Sequence, residues 1–301
     1  MRLAFTKCHG SGNDFPLIDA RALVLDDSAW AIVARALADR SGPVGGDGIL
    51  LLIEGGDGAS FGMRMFNSDG SEAETCLNGL RCVARAGFEA LGLDEATVHL
   101  RTSSAEVARA MELSPGVYTV RTWARASQDI GATGPLSDLP GNFGFVGVGM
   151  PNPHLVRFVD RIDEDELVAI GAYCESAPPL LPQRANVSFV EIRGTDLFVR
   201  TYERGVGLTN ACGSAMAASV HAAAASGHIP WGAEITVFNK GGLVRGAAFA
   251  DGRVTILGNA TFDYDAEIEI DPITGETGPQ TILRHRAGET AAWAAAVAAI
   301  G

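Results

Sequence analysis

Residues 74–82 read ETCLNGLRC, and residues 210–218 read NACGSAMAA. In each stretch a cysteine, Cys76 or Cys212, follows a polar loop and precedes sequence that is typical of a helix. The two cysteines stand almost half a chain length apart in a protein of 301 residues. This repeated pattern predicts two related α/β halves, each of which presents one loop–cysteine–helix unit.

The segments around these units predict alternating strands and helices. Apolar patterning indicates strands at 3–8, 15–20, 48–53, 61–66, 143–150, 154–160, 186–192 and 196–203. Capping residues and apolar spacing predict helices at 26–40, 76–92, 163–176 and 212–227.

A domain boundary is expected at 122–142, where periodicity is lost and Gly, Pro and Asp accumulate. This divides the chain into an N-terminal half at 1–122 and a C-terminal half at 123–265. The tail at 266–301 is expected to return to the first half and to end in an added helix. The segment 204–211 is expected to be a loop.

Composition and charge narrow the classes of protein. Hydrophobic residues make up 47% and charged residues 20%, as expected for a folded globular chain. The net charge of -13 argues against a nucleic-acid partner and against binding to a membrane surface. The first 15 residues contain no apolar run typical of a signal peptide. We therefore expect a cytoplasmic protein whose five cysteines are thiols.

A cysteine at the start of a helix has a chemical use. The amino end of a helix carries free N–H groups and a partial positive charge, which stabilise a thiolate and can also hold a carboxylate. Two such units could act on opposite faces of one bound molecule. Inversion at a carbon next to a carboxylate needs this arrangement, because one group removes the proton and the other returns one. Backbone donors would stabilise the planar carbanion between the two steps.

Other uses of these residues have less support in the sequence. An enzyme that depends on pyridoxal phosphate needs a lysine, and only Lys7, in a strand, and Lys240, in a turn, are present. No CxxC or HExxH motif occurs, so neither a metal nor a cofactor is expected. A redox pair and a silent amino-acid-binding protein remain alternatives. The other cysteines are expected to be buried packing residues: Cys8, Cys82 and Cys174.

The chain resembles the diaminopimelate epimerase family of PLP-independent amino-acid epimerases. The resemblance rests on five motifs in the family's order: KCHGSGNDF at 7–15, MRMFNSDGSEAETCLNGLRC at 63–82, GMPNPHLV at 149–156, QRANVSFV at 183–190 and YERGVGLTNACGSA at 202–215. It implies two similar halves, each wrapping mixed strands around a central helix, with an active site in the cleft between them. It implies interconversion of LL- and meso-diaminopimelate in lysine and peptidoglycan-precursor biosynthesis, and it allows a homodimer. A racemase of another amino acid on the same scaffold is the nearest alternative.

The resemblance also assigns roles to residues. It implies Cys76 and Cys212 as the catalytic acid and base, with His154 as an auxiliary residue. It implies that the backbone amides at 77–78 and 213–214 receive the reacting carboxylate. The substrate-binding positions that it implies are Asn13, Asn67, Leu77, Asn78, Asn152, Asn186, Glu203, Arg204, Gly213 and Ser214.

Local structure bears on four of these positions. Asn67 lies in FNSDG, a sequence typical of a turn. Glu203 and Arg204 are neighbours, and neighbours on a strand point apart, so both can face one site only if the strand ends between them. Leu77 stands where the family commonly has glycine, and its side chain could restrict the pocket.

Overall fold

The computed structural model describes residues 1–56, 58–139, 144–150 and 152–299. The chain forms two compact units, which we call unit 1 (Met1–Thr122 with Leu257–Gly301) and unit 2 (Trp123–Ile256). The last residues of the predicted boundary segment, 140–142, and the first residue of the predicted strand at 143–150 lie outside the described residues.

The strands in chain order are β1 (Arg2–Gly10), β2 (Asn13–Asp19), β3 (Gly48–Glu54), β4 (Phe61–Asn67), β5 (Glu95–His99), β6 (Ser104–Ala110), β7 (Thr119–Arg125), β8 (Val146–Met150), β9 (Asn152–Phe158), β10 (Asn186–Arg193), β11 (Asp196–Glu203), β12 (Gly207–Thr209), β13 (Ile235–Asn239), β14 (Gly242–Ala248), β15 (Arg253–Asn259), β16 (Thr261–Glu269) and β17 (Thr281–His285). The helices are α1 (Asp27–Ala38), α2 (Leu77–Leu91), α3 (Glu164–Glu175), α4 (Gly213–Ala225) and α5 (Ala287–Ala298), with one 3₁₀ turn at Leu136–Asp138. The predicted mixed α/β class is confirmed.

Unit 1 is a mixed sheet with helix α2 at its centre. The strands follow the order β17-β16-β1-β2-β3-β4-β5-β6-β7, in which β2–β3 and β4–β5 are parallel pairs. Helix α2 contacts strands β1 to β6, and its first nine residues are all buried. Helix α1 packs against strands β2, β3 and β4 and buries Trp30, Val33 and Leu37 there. The chain returns to unit 1 at Leu257, before the predicted 266, because β16 pairs with β1 along its whole length.

Unit 2 has the same plan around helix α4. Its strands follow the order β8-β9-β10-β11-β13-β14, with β9–β10 and β11–β13 parallel, and β12 pairs with the end of β11. Helix α4 contacts β8, β9, β10, β11 and β14. It is apolar on all sides, as a helix enclosed by strands must be. Helix α3 packs outside β10 and β11 through Leu167 and Cys174.

The predicted helices are confirmed as α1 to α4, because their end signals are local. Asp26 caps α1 by accepting a hydrogen bond from the Ala29 amide at 2.8 Å, and Gly92 ends α2 in the left-handed conformation (φ 68°). The added helix in the tail is confirmed as α5. The expected loop at 204–211 contains the short strand β12. Across the described residues we find no helix with the length and apolar character that a membrane crossing requires.

Candidate active site

Cys76 is the N-cap of α2. Its Sγ accepts a hydrogen bond from the Gly79 amide at 3.3 Å, and it lies 3.8 Å from Oδ1 of Asn13. Glycine at 79 lets this end of the helix approach β3, because a Cβ there would stand 2.6 Å from the Leu50 side chain. The thiol is therefore held where the helix amides converge.

Asn13 is fixed beside Cys76 by a tight turn and by a carboxylate. It opens β2 after the two-residue turn Ser11–Gly12, in which both residues have positive φ (54° and 81°). Its Oδ1 accepts a hydrogen bond from Nδ2 of Asn78 at 3.4 Å, and its Nδ2 donates to Oδ2 of Asp47. Sequence reasoning missed Asp47, because GGDG is typical of an ordinary turn and carries no separate signal.

The predicted carboxylate-binding residues of unit 1 begin helix α2. Leu77 and Asn78 are its first two residues, whose amides have no acceptor inside the helix. The Leu77 side chain is only 9% exposed, so it packs inward. Asn78 is buried, and its side chain joins Asn13 to Arg81. The structure therefore brings together Cys76, Asn13, Leu77 and Asn78.

Asn67 has the turn-forming contacts of its alternative interpretation. It ends β4, its amide donates to the Ser71 carbonyl at 2.8 Å, and its Nδ2 donates to Oγ of Ser71 at 3.0 Å. These contacts hold the turn at 67–71 together. A role of Asn67 in substrate binding stays a prediction.

Cys212 is the N-cap of α4, where Gly213 and Ser214 supply the first two amides. It is 7% exposed, and its Sγ lies 3.5 Å from Oγ of Ser214. Burial raises the pKa of the Cys212 thiol well above its ordinary value, the adjacent Glu203 carboxylate raises it further, and the Ser214 contact opposes the rise. The protonated thiol is therefore the favoured form of Cys212 here.

Glu203 and Arg204 can face one site because β11 ends at Glu203. Oε1 of Glu203 accepts a hydrogen bond from Oγ1 of Thr209 at 2.6 Å, which directs the carboxylate toward the strand that precedes Cys212. The Arg204 backbone amide donates to Oδ1 of Asn186 at 2.8 Å, and its Nη1 donates to the Gln183 carbonyl at 2.9 Å. Thr209 was missed, because a lone threonine in a glycine-rich segment carries no sequence signal.

Asn152, His154 and Asn186 form one cluster on the parallel pair β9–β10. The strand register sets Asn186 beside His154. Nε2 of His154 lies 3.1 Å from Oδ1 of Asn152 and 3.4 Å from Nδ2 of Asn186. Burial, and then the positive charge of Arg204, lower the pKa of His154 to about 3. The imidazole is therefore neutral at physiological pH and can act only through hydrogen bonds.

The buried neutral His154 predicts a loss of stability in mild acid. Its pKa is depressed in the folded protein, so its contribution is present above the unfolded pKa of 6.5 and is lost as pH falls towards 3. We expect His154 to contribute about 1 kcal/mol to the fall in unfolding free energy between pH 7 and 5.5. Urea unfolding of the wild type and of His154→Gln at both pH values measures this. Equal falls in the two proteins would contradict it.

The remaining cysteines and both lysines are engaged elsewhere. Cys8, Cys82 and Cys174 are fully buried, and burial raises the pKa of Cys174 to about 11. Nζ of Lys7 pairs with Asp14 at 2.6 Å, and Nζ of Lys240 pairs with Glu164 at 2.8 Å. Within the described ranges, no group of three or more His, Cys, Asp or Glu side chains is placed to bind a metal ion.

Solved structures share the fold. A predicted epimerase from Pseudomonas aeruginosa is similar over 89% of this chain and 100% of its own, with a TM-score of 0.66 and 19% identity. A hydroxyproline epimerase from Agrobacterium vitis is similar over 99% and 98%, with a TM-score of 0.64 and 13% identity. At these identities the similarity establishes the architecture.

Sequence relatives establish the family. A diaminopimelate epimerase from Clostridium acetobutylicum is 38% identical over 88% of this chain and 85% of its own length. The diaminopimelate epimerase of Ligilactobacillus salivarius is 36% identical over 97% and 98%. The family model of diaminopimelate epimerase matches residues 5–114 and 146–262, which include both helix-capping cysteines. The chain therefore belongs to the diaminopimelate epimerase family.

Proposed function

We propose that the protein is a PLP-independent isomerase that interconverts LL- and meso-diaminopimelate, in the cytoplasm, for lysine and peptidoglycan-precursor synthesis. Membership of the family carries this proposal. The capping geometry supports it, since the central helix of each unit begins at a cysteine, Cys76 or Cys212. Sedimentation analysis of the purified protein distinguishes a monomer from the homodimer that the family allows.

The proposed chemistry is two-base proton transfer at one α-carbon. One cysteine, as thiolate, removes the α-proton, and the other, as thiol, returns a proton to the opposite face. The electron pair of the broken C–H bond spreads onto the adjacent carboxylate and is used to form the new C–H bond. The helix amides at 77–78 and 213–214 would receive that carboxylate and stabilise its growing charge. In the reverse reaction the thiols exchange roles.

The second amino-acid head of the substrate explains the polar cluster of unit 2. A guanidinium presents a planar fork that suits a carboxylate, so we assign the distal carboxylate to Arg204. Asn152 and Asn186 lie on the adjacent strand ends and add amide groups. We also assign Asn13 and Asn67 to substrate binding and Glu203 to the surroundings of the reacting centre. Small amino acids without a second head would not form the hydrogen bonds that this cluster offers to the distal carboxylate.

A racemase of another amino acid is the second candidate, and Leu77 is the observation that favours it. Its side chain is larger than the glycine that is common in the family, and it borders the proposed carboxylate site. Because the Leu77 side chain is largely buried, we expect it to narrow the pocket only slightly. The backbone amide of Leu77 can still donate to the carboxylate. Diaminopimelate therefore remains the preferred substrate.

The test is α-proton exchange in D2O without added PLP or metal. NMR should show loss of the α-proton signal and appearance of the other stereoisomer with LL- or meso-diaminopimelate. Glutamate, histidine, proline and lysine should exchange more slowly by a factor of about 10² or more, because they lack the second head. Exchange of one of these without any exchange of diaminopimelate would reject the substrate and leave the racemase candidate.

A further inference from the structure

Arg81 is a fully buried arginine at the amino end of helix α2. Its side chain is 0% exposed, and it lies one turn after Cys76 and Leu77. An arginine in a protein interior is ordinarily paired with a carboxylate, because a buried charge is costly when it is uncompensated. Among the residues that the structure describes, no carboxylate forms an ion pair with Arg81.

The guanidinium is instead held by four neutral acceptors. Nε donates to the Asn259 carbonyl at 3.1 Å and Nη1 to the Leu77 carbonyl at 3.3 Å. Nη2 donates to Oγ of Ser11 at 3.2 Å and to Oδ1 of Asn78 at 2.9 Å. These bonds use four of the five guanidinium N–H groups and leave the charge in place.

The surrounding backbone is shaped to admit this group. A Cβ at residue 258 would stand 2.5 Å from Nε of Arg81, and a Cβ at residue 10 would stand 3.0 Å from its Nη2. Gly10 and Gly258 therefore create the space in which the guanidinium lies. Burial lowers the pKa of Arg81 only to about 10, so the side chain remains a cation at neutral pH.

The position of the charge decides what it can act on. Arg81 interacts electrostatically with Cys76 and Cys82, and Cys82 is a fully buried thiol. Arg81 also donates a hydrogen bond to the side chain of Asn78, whose backbone amide belongs to the proposed carboxylate site. Through Ser11 it braces the turn that delivers Asn13, and that serine has an unfavourable positive φ.

We propose that Arg81 is a positioning residue that places a permanent positive charge beneath the amino end of α2, where it stabilises the Cys76 thiolate and a carboxylate bound at the 77–78 amides. The charge adds to that of the helix end, and water screens it little because Arg81 is fully buried. The link to turnover rests on the proposed function, since it requires Cys76 to act as a base.

Other charged groups near this end of α2 are already balanced. On β1 and β2, Lys7 is paired with Asp14, which Arg40 also contacts at 2.7 Å. Arg40 also pairs with Asp47 at 2.7 Å. Burial lowers the pKa of His9 below its ordinary value, Asp263 and Asp14 oppose that shift, and the charges of Arg81 and Lys7 add to it. Arg81 is therefore the charge whose removal should change the thiol most.

The experiment measures the pH dependence of Cys76 alkylation by iodoacetamide, a neutral reagent, with peptide mapping. The background protein is Cys212→Ala, which lacks the other helix-capping thiol. The other three cysteines, Cys8, Cys82 and Cys174, are fully buried, so alkylation of the folded protein reports on Cys76. For Arg81→Gln we expect the pH midpoint of alkylation to rise by about one unit, which is about a tenfold slower reaction at pH 7. Arg81→Lys should give a midpoint between those of the background protein and Arg81→Gln, because burial without a carboxylate lowers the pKa of an ammonium group, which a guanidinium resists.

Arg85→Gln is the matched control. Arg85 lies four residues further along the same helix, is also buried, and pairs with Glu89 at 2.7 Å and with Glu289. Its loss should lower the melting temperature and leave the midpoint of Cys76 unchanged. An unchanged midpoint in Arg81→Gln would overturn the proposal, and so would an equal shift in Arg85→Gln. If Arg81→Gln does not fold, Arg81→Met takes its place as a neutral variant of similar length, and an unchanged midpoint there would overturn the proposal.

A second measurement isolates the anion-binding role. Iodoacetate carries a carboxylate, so the ratio of its alkylation rate to that of iodoacetamide reports the local positive charge. This ratio, taken above the midpoint, should fall several-fold in Arg81→Gln. An unchanged ratio in Arg81→Gln would overturn this role. Both measurements are independent of turnover. A failure of diaminopimelate exchange would reject the proposed function and leave the charge effect intact, whereas unchanged alkylation in an active enzyme would reject the charge effect alone.

Discussion

Cys76→Ala and Cys212→Ala are each expected to abolish the inversion of diaminopimelate. General acid–base groups of this kind contribute about 10²–10⁴-fold, and the two-base mechanism has no substitute for either thiol. Initial rates of conversion from LL- to meso-diaminopimelate, followed by NMR or chiral chromatography, measure the loss. Near-wild-type turnover by either variant would reject the mechanism.

The same two variants can reveal which face each thiol serves. A protein with one remaining thiol still has a base on one side of the α-carbon. It is expected to exchange the α-proton of one stereoisomer with D2O while leaving that centre uninverted. Opposite stereochemical preferences in Cys76→Ala and Cys212→Ala are the result that two opposed bases require.

Cys174→Ala is the control for these substitutions. Cys174 is fully buried in helix α3, away from any helix start. Its replacement should cost about 1 kcal/mol of unfolding free energy through a small cavity, and it should leave turnover unchanged. A comparable loss of turnover in this variant would show that the cysteine effects are structural.

Arg204→Gln is expected to produce the second large loss, in kcat/KM for diaminopimelate. Two charge-assisted hydrogen bonds to the distal carboxylate would be lost, which corresponds to a decrease of about 10²–10³-fold. Arg204→Lys should recover only part of it, because an ammonium group cannot form the paired fork. Steady-state kinetics of the three proteins give the comparison.

The assignment of the carboxylate to Arg204 has its own control. Arg193 lies on the same hairpin, is half exposed and pairs with Glu191 at 2.8 Å. Arg193→Gln should leave kcat/KM unchanged. If Arg204→Gln were as active as Arg193→Gln, another residue would have to hold the distal carboxylate.

The parts of the fold that the sequence predicted are those with local signals. Helices α2 and α4 begin at a cysteine after a polar loop, and the end of α2 is marked by Gly92. These patterns lie within a few residues, so no knowledge of the rest of the chain is needed. Strand β17 has no such signal, because all of its residues are exposed and it is held by pairing with the distant strand β16.

The parts of the candidate site that the sequence did not predict depend on distant contacts. Asp47 orients Asn13 across 34 positions, and Arg81 bonds to Asn259 across 178. An arginine in a helix of mixed composition is usually a solvent-facing residue. Arg81 is buried because strands enclose helix α2. The local sequence LNGLRCVARAG gives no indication of those strands.

The pairing of β1 with β16 has a consequence for the newly made chain. Unit 2 is one continuous segment, 123–256, and can complete its sheet as soon as it has been synthesised. In unit 1, the register from Arg2–Glu269 to His9–Thr261 leaves one edge of β1 open until residues 261–269 have left the ribosome. The segment that is translated first is thus the one that finishes folding last.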